Sequence, residues 1–93
     1  MDAYDELLER LKNIDLISQI GGLLGWDQEV LMPPKAAALR AEQLAWVSKT
    51  GHEATTNPRI GELLTELEAR EDLNDVQLAN VRLVRDSYDK ATK

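Results

Sequence analysis

The chain has 93 residues, of which 43% are hydrophobic and 4% aromatic, and it contains neither phenylalanine nor cysteine. This length predicts one small domain with a thin core of Leu, Ile, Val and Ala, without disulfides or cysteine-based zinc sites. The formal charge of -6, the lack of any run of basic residues and the lack of an apolar run of ~20 residues argue against nucleic acid and membrane as partners.

The first predicted helix covers roughly residues 3–25. It begins in an acidic, amphipathic segment that lacks the basic and apolar regions of a secretory signal, so a cytoplasmic location is expected. Apolar residues recur at the steps of three and four that place them on one helix face, broadened by Leu8 and Leu16. This face consists of Leu7, Leu11, Ile14, Ile17, Ile20 and Leu24. Gly21 and Gly22 each cost about 1 kcal/mol relative to Ala, so the helix either frays there or uses them for close packing.

The segment GGLLGWDQEVLMPP, residues 21–34, is the least regular part of the sequence. Its glycines lack the preceding strand and the spacing of a phosphate-binding loop. Pro33 and Pro34 end a preceding helix and suit the first turn of the next one. We therefore predict a hinge here, with Trp26 as its anchor and Asp27 capping backbone N–H groups.

The second predicted helix covers roughly residues 34–50. Gly51 stands where a left-handed glycine would cap the end of the helix. A periodic face is formed by Ala36, Leu39, Gln43, Trp46 and Thr50, flanked by Leu44 and Val47.

Two shorter helices are predicted at roughly residues 58–70 and 75–92. Asn57 is an N-cap with Pro58 at the first helical position, and Asn74 forms a capping box with Gln77. Their apolar positions are Ile60, Leu63, Leu64 and Leu67 in the third helix and Val81, Val84 and Tyr88 in the fourth. Short connections favour antiparallel neighbours, so we predict an all-α fold of about four amphipathic helices in antiparallel hairpins.

Two groups of residues are candidates for chemistry. His52 and Glu53 match the opening of the zinc motif HExxH, but the position of the second histidine is Thr56, so a surface or helix-end histidine is favoured. Asp27 and Glu29 could act as a pair of carboxylates with separated pKa values, although a solvated turn is the favoured interpretation. From the residues alone, no catalytic, cofactor-binding or metal-binding residue is predicted.

Several runs of the sequence together resemble one family, in order and over nearly the whole chain. They are WDQEVLMPP at 26–34, RAEQLA at 40–45, HE at 52–53 and GELL at 61–64. The family is the carboxypeptidase Taq family of zinc metallocarboxypeptidases, and the similarity is to its N-terminal region. The signature residues are Trp26, Asp27, Glu29, Pro33, Pro34 and Arg40. Lys35 and Ala36 depart from the pattern, since relatives commonly carry glycines after the prolines.

The resemblance implies a cytoplasmic, mostly helical and usually homodimeric enzyme that removes single residues from peptide C-termini with broad specificity. Its zinc is held by the histidines of an HExxH helix and a further glutamate, none of which matches a position here. The resemblance therefore implies no cofactor in this chain itself, with zinc and peptide substrate belonging to the full-length protein. This segment would form part of a groove wall or lid and would be inactive when isolated.

An alternative is a freestanding helical interaction module without catalytic function, or an excised bundle with no native role. Four amphipathic stretches and two tryptophans can present an apolar face to a partner or to a second copy. If the chain is the beginning of a larger protein, helices that normally pack on the remainder leave apolar surface exposed. Self-association is therefore expected in either case.

Overall fold

The computed structural model describes the backbone of residues 1–30 and 37–93 and the side chains of residues 1–26 and 37–93. These residues form four α-helices and no strand, so the predicted all-α fold is confirmed. The helices are α1 (Ala3–Val30), α2 (Ala37–Thr55), α3 (Pro58–Glu68) and α4 (Asp75–Ala91).

The hydrophobic core lies at one end of the molecule, where the first three turns of α1 pack against α3 and α4. We call this part the base, residues 1–11 and 57–93. All of its buried side chains are aliphatic, as the composition predicts: Ala3, Leu7, Ile60, Leu63, Leu64, Leu67, Leu73 and Val81. The four predicted apolar positions of α3 are all buried because α3 lies between α1 and α4.

The helices pair as antiparallel hairpins, as predicted. A β-carbon built on Gly21 of α1 would lie 3.2 Å from Cγ1 of Val47, and one built on Gly51 of α2 would lie 3.3 Å from Cγ2 of Ile17. Residue numbers in α2 therefore fall as those in α1 rise. Likewise, a β-carbon built on Gly61 near the start of α3 would lie 3.0 Å from Oη of Tyr88 near the end of α4. The two helices of each hairpin thus run in opposite directions.

The molecule is elongated because the hairpin of α1 and α2 projects from the base. We call this hairpin the arm, residues 12–26 and 37–56 as far as side chains are described. The principal extents are 56 × 23 × 23 Å and the radius of gyration is 16.7 Å, whereas a compact chain of this length has about 12 Å. Within the described parts of the chain, no helix is long and apolar enough to cross a membrane.

A hinge is predicted within residues 21–34, but residues 21–30 are helical in the structure. Helix α1 continues through the glycines to Val30, five residues past the predicted end, and Trp26 is 56% exposed. The interpretation of Trp26 as the anchor of a hinge stays a prediction, because residues 31–36 lie outside the described part of the chain. The backbone of Asp27 lies in α1 rather than in a turn. Pro33 and Pro34 lie outside the described residues.

Gly51 does not cap α2. The helix continues to Thr55, and none of the glycines within the described residues has a positive φ angle. Gly51 instead lets Ile17 approach the backbone of α2 closely, as the distance above shows. The prediction of a left-handed cap is wrong. Glycine occurs both at helix ends and inside helices that approach each other closely, and its position in the sequence does not distinguish the two.

Helix α2 also uses a different face from the predicted one. Leu39 and Trp46 are exposed, whereas the flanking Leu44 and Val47 are half-buried toward α1. Both sets have helical spacing, so periodicity alone did not distinguish the face that contacts α1. No residue of α2 is fully buried, which means that the arm has no core of its own.

The predicted caps of α3 and α4 are confirmed. Oδ1 of Asn57 accepts a hydrogen bond from the N–H of Arg59 at 2.9 Å, with Pro58 at the start of the helix. Asn74 and Gln77 exchange two hydrogen bonds of 2.9 Å between side chain and backbone. These contacts satisfy N–H groups that have no partner inside the helix.

Candidate functional site

A groove of about 360 Å³ runs along one side of the arm, between α1 and α2. It forms where Gly21 and Gly51 allow the two helices to approach closely. Apolar side chains form its floor and hydroxyls and an imidazole lie along it. The lining residues are Ile14, Ile17, Ser18, Gly21, Val47, Ser48, Gly51, His52 and Thr55.

His52, the only histidine of the chain, lies on this groove and not at a metal site. Thr56, at the position where HExxH carries its second histidine, donates its hydroxyl to the backbone oxygen of His52 at 2.8 Å. In the part of the chain that the structure describes, no three His, Cys, Asp or Glu residues are grouped so that they could hold a metal ion. The groove can accept a polar or apolar side chain, but these residues supply no set of zinc ligands.

Of the signature residues, the structure describes the side chains of Trp26 and Arg40. Arg40 is half-buried in α2. Its Nη1 donates a hydrogen bond of 2.9 Å to Oε1 of Gln43, so the two residues of the RAEQLA run are in contact. Trp26 lies near the far end of the described arm. The side chains of Asp27 and Glu29 are outside the described residues, and their role as a carboxylate pair stays a hypothesis.

The charged groups with the clearest electrostatic role lie at the base. The guanidinium of Arg59 in α3 binds the carboxylate of Glu6 in α1 through two hydrogen bonds of 2.8 and 2.9 Å. Glu62 and Arg10 extend this cluster at 3.1 and 3.2 Å. The hydrogen bonds from Arg59 hold the pKa of the Glu6 carboxyl at about 2. Such bidentate pairs are the strong class of ion pair.

Two further arginines join segments distant in sequence. Arg70 bonds Asp72 at 2.7 Å and Asp2 at 2.8 Å, and Arg85 of α4 bonds Glu68 of α3 at 2.8 Å. The hydrogen bond from Arg85 lowers the pKa of the Glu68 carboxyl.

Glu68 and Arg70 make contacts across the fold and not only along their own helix. Their partners are 17 and 68 residues away in the sequence. Local spacing gives no signal for contacts at such separations, because only pairs three or four residues apart meet on one helix. The tertiary arrangement alone shows that these side chains tie the base together.

Known proteins match this chain over most of its length. Residues 6–93 match the family described as Carboxypeptidase Taq (M32) metallopeptidase. Thermostable carboxypeptidase 1 of Thermus thermophilus is 36% identical over 93 residues, covering 96% of this chain and 18% of that protein. Thermostable carboxypeptidase 1 of Pyrococcus furiosus is 28% identical over 83 residues, covering 89% of this chain and 17% of that protein.

The fold also has a solved counterpart, described as "The Structure of CHT". It superposes with a TM-score of 0.88 at 34% identity, over 97% of this chain and 18% of that chain. The base and the protruding arm therefore recur together within a much longer polypeptide. The present chain spans less than a fifth of the length of the relatives it matches.

Proposed function

Because this chain belongs to the carboxypeptidase Taq (M32) family of metallopeptidases, we propose that it is the N-terminal helical part of a metallocarboxypeptidase. That enzyme releases amino acids from the C-termini of peptides with broad specificity. The observation that carries the proposal is the match over residues 6–93, at 36% identity to a carboxypeptidase of which it covers only 18%. The activity, the peptide substrate and the catalytic metal belong to the longer family chain.

The role proposed for this segment is to form a wall or lid of the substrate groove. Its shape supports this role, since α1 is 28 residues long, which corresponds to about 42 Å. The base holds one end of α1 by burial and ion pairs, and the arm extends from it. A helical hairpin supported at one end can line a cleft, position a peptide and exclude water from it.

The family implies zinc, which supplies an activated water molecule when it is bound. The described residues do not fit such a site, because they contain no group of three or more potential ligands. His52 is one imidazole beside hydroxyls, and Glu53 has no second histidine next to it. This segment therefore takes a positioning role, and the metal ligands are expected elsewhere in the family chain.

A chimera tests the proposal directly. This chain replaces the matching segment of the Thermus thermophilus relative, and zinc-dependent release of C-terminal residues from a peptide is measured. We expect the chimera to retain activity, and the relative lacking the segment to lose peptide affinity or turnover. A folded, zinc-loaded chimera without activity would contradict the proposed role.

The isolated chain provides the complementary measurement. The purified chain is expected to retain no stoichiometric zinc after dialysis and to release no amino acid from a blocked peptide. Zinc-dependent hydrolysis by the 93-residue chain would show that the catalytic role has been misassigned.

A freestanding interaction module is the second candidate function. The exposed apolar residues of the arm favour it, because a helix that is apolar on its outer side requires a partner. An inactive chimera, together with specific assembly of the isolated chain, would favour this module over the peptidase segment.

A further inference from the structure

The groove along the arm carries hydrogen-bonding groups that the protein itself does not use. The side chains of Ser18, Ser48 and His52 line the groove and form no hydrogen bond with any residue that the structure describes. Thr55 differs, because its hydroxyl donates to the backbone oxygen of Gly51 at 2.8 Å. Three polar side chains around one depression of the surface are therefore available to a ligand.

The floor of the groove between these polar groups is apolar. Ile14 and Ile17 of α1 and Val47 of α2 are half-buried along the contact between the two helices. Gly21 and Gly51 line the same groove without a side chain that could fill it. An apolar floor with a few convergent polar groups is the usual form of a site that binds a small ligand or a segment of one.

The groove has the length and spacing of a short extended peptide. Its lining residues on α1 run from Ile14 to Gly21, about 10 Å along the helix axis, and three residues of an extended chain span the same distance. Ser48 and His52 are four residues apart on α2, which is about 6 Å. Carbonyl groups on one side of an extended chain repeat every two residues, at about 6.7 Å. These two side chains can therefore donate to successive carbonyls of such a peptide.

The composition of the groove selects against charged side chains. None of its lining residues is Asp, Glu, Lys or Arg. A charged group that leaves water without a partner loses much of its hydration free energy, whereas an aliphatic side chain gains by leaving water. The groove therefore favours a peptide segment that carries a neutral aliphatic side chain.

The groove is also separate from the place where a peptide bond would be cleaved. The described residues contain no group of three potential metal ligands, and the ligands are expected elsewhere in the family chain. A carboxypeptidase cleaves the last peptide bond of its substrate. The residues that a groove remote from the metal can hold are therefore those on the N-terminal side of that bond.

We propose that the arm groove is a binding subsite for the part of the peptide substrate that precedes the cleaved bond. An aliphatic side chain of the peptide lies on the floor of Ile14, Ile17 and Val47, and Ser48 and His52 donate to its carbonyl groups. The inference rests on the proposed peptidase function and adds to it which part of the substrate this segment holds. These side chains bind the peptide and take no part in the chemical step.

Peptide binding by the 93-residue chain is the first test and requires no catalysis. The probe is N-acetyl-Ala-Leu-Ala-amide, a neutral peptide as long as the groove, titrated into the ¹⁵N-labelled chain and followed by NMR. We expect shifts of the amides of residues 14–21 and 47–55, with a dissociation constant on the order of 1 mM. The same probe with aspartate in place of leucine is expected to bind at least about tenfold more weakly.

Two neighbouring residues of α1 provide matched variants. Ser18→Leu places an added side chain in the groove and is expected to weaken binding of the leucine probe at least about tenfold. Gln19→Leu adds the same side chain at the next position, which does not line the groove, and is expected to leave binding unchanged. Circular dichroism of each variant establishes that it is folded.

Substitution of His52 tests the hydrogen bond to the peptide separately from the shape of the groove. His52→Leu removes the donor and is expected to weaken binding about three- to tenfold, the usual effect of one hydrogen bond. His52→Gln retains an N–H donor and is expected to restore most of the affinity. Equal affinities of the two variants would show that the imidazole does not bond the peptide.

The chimera with the Thermus thermophilus relative tests the role of the groove in turnover. Peptides with leucine or aspartate at each position before the cleaved bond are compared by kcat/KM. One position is expected to favour leucine, and Ser18→Leu is expected to raise KM for that peptide at least about fivefold with kcat unchanged, because binding shared by substrate and transition state is lost. Gln19→Leu is expected to change neither constant.

The two experiments separate failure of the subsite from failure of the peptidase role. An active chimera overturns the subsite but not the peptidase role if Ser18→Leu and Gln19→Leu have equal effects on it. Absence of shifts at the groove up to the solubility limit of the leucine probe also overturns the subsite. A folded, zinc-loaded chimera without activity contradicts the peptidase role, and with it the assignment of the bound peptide as substrate, even where the isolated chain binds the probe.

Discussion

Gly61 and Gly22 differ in whether the lack of a side chain is needed for helix packing. Both lie in helices with ordinary backbone angles. A β-carbon on Gly61 would lie 3.0 Å from Oη and 3.1 Å from Cε2 of Tyr88, whereas one on Gly22 would meet nothing within 4 Å. Gly61 therefore allows α4 to approach α3, and Gly22 lacks such a packing role among the described residues.

Alanine substitution distinguishes these two glycines. Gly22→Ala is expected to raise the free energy of unfolding by about 0.5–1 kcal/mol, because alanine loses less backbone entropy in a helix. Gly61→Ala has the same helix preference but displaces the Tyr88 ring, so a net loss of about 1 kcal/mol is expected. Urea denaturation of both variants measures the difference. Equal stabilisation by both would show that the Tyr88 ring moves without penalty.

At the scale of helices, the ion pairs of the base connect elements that the chain order does not bring together. Arg59, in the first turn of α3, binds Glu6 in the first turns of α1 across 53 residues of sequence. The cap at Asn57 orients this first turn and thereby Arg59. The sequence predicted the cap and the helix, but only the packing of α3 on α1 made Glu6 the partner.

The Glu6 pair predicts a defined pH dependence of stability. The carboxyl has a pKa of 4.5 when unpaired and about 2 in the folded chain, so its contribution is complete above about pH 4.5 and is lost as the pH falls toward 2. Glu6→Gln is therefore expected to be less stable than wild type at pH 7 and equally stable below pH 2. The measurement is urea denaturation of both proteins at several pH values.

Glu9→Gln provides the matched control for this series. Glu9 lies one turn from Glu6 and makes no ion pair with any residue that the structure describes. Its substitution is expected to leave the difference from wild type nearly constant with pH. A constant difference for Glu6→Gln as well would show that the Arg59 contact does not stabilise the folded chain.

At the scale of the whole molecule, buried side chains and stabilising contacts are concentrated in the base. Leu63, Leu64 and Leu67 of α3 are completely buried, whereas α2 has no buried residue. Local opening of a structure is easiest where few apolar contacts are broken. The arm is therefore expected to open independently of the base.

Hydrogen exchange tests this difference in local stability. Amides in the middle of α2 are expected to exchange at least tenfold faster than those of Leu63 to Leu67. Uniform protection of both parts under dilute conditions would show that the molecule opens as one unit.

The sequence by itself determined the helical class, the caps at Asn57 and Asn74 and the apolar face of α3, because these depend on residues within one or two helical turns. It also determined the family, through runs that match in order. The tertiary structure decided that α1 continues past residue 25 to Val30, that Gly51 lies inside α2 and that Trp46 is exposed. These outcomes depend on which of two apolar faces meets a neighbouring helix, and local periodicity is the same for both faces.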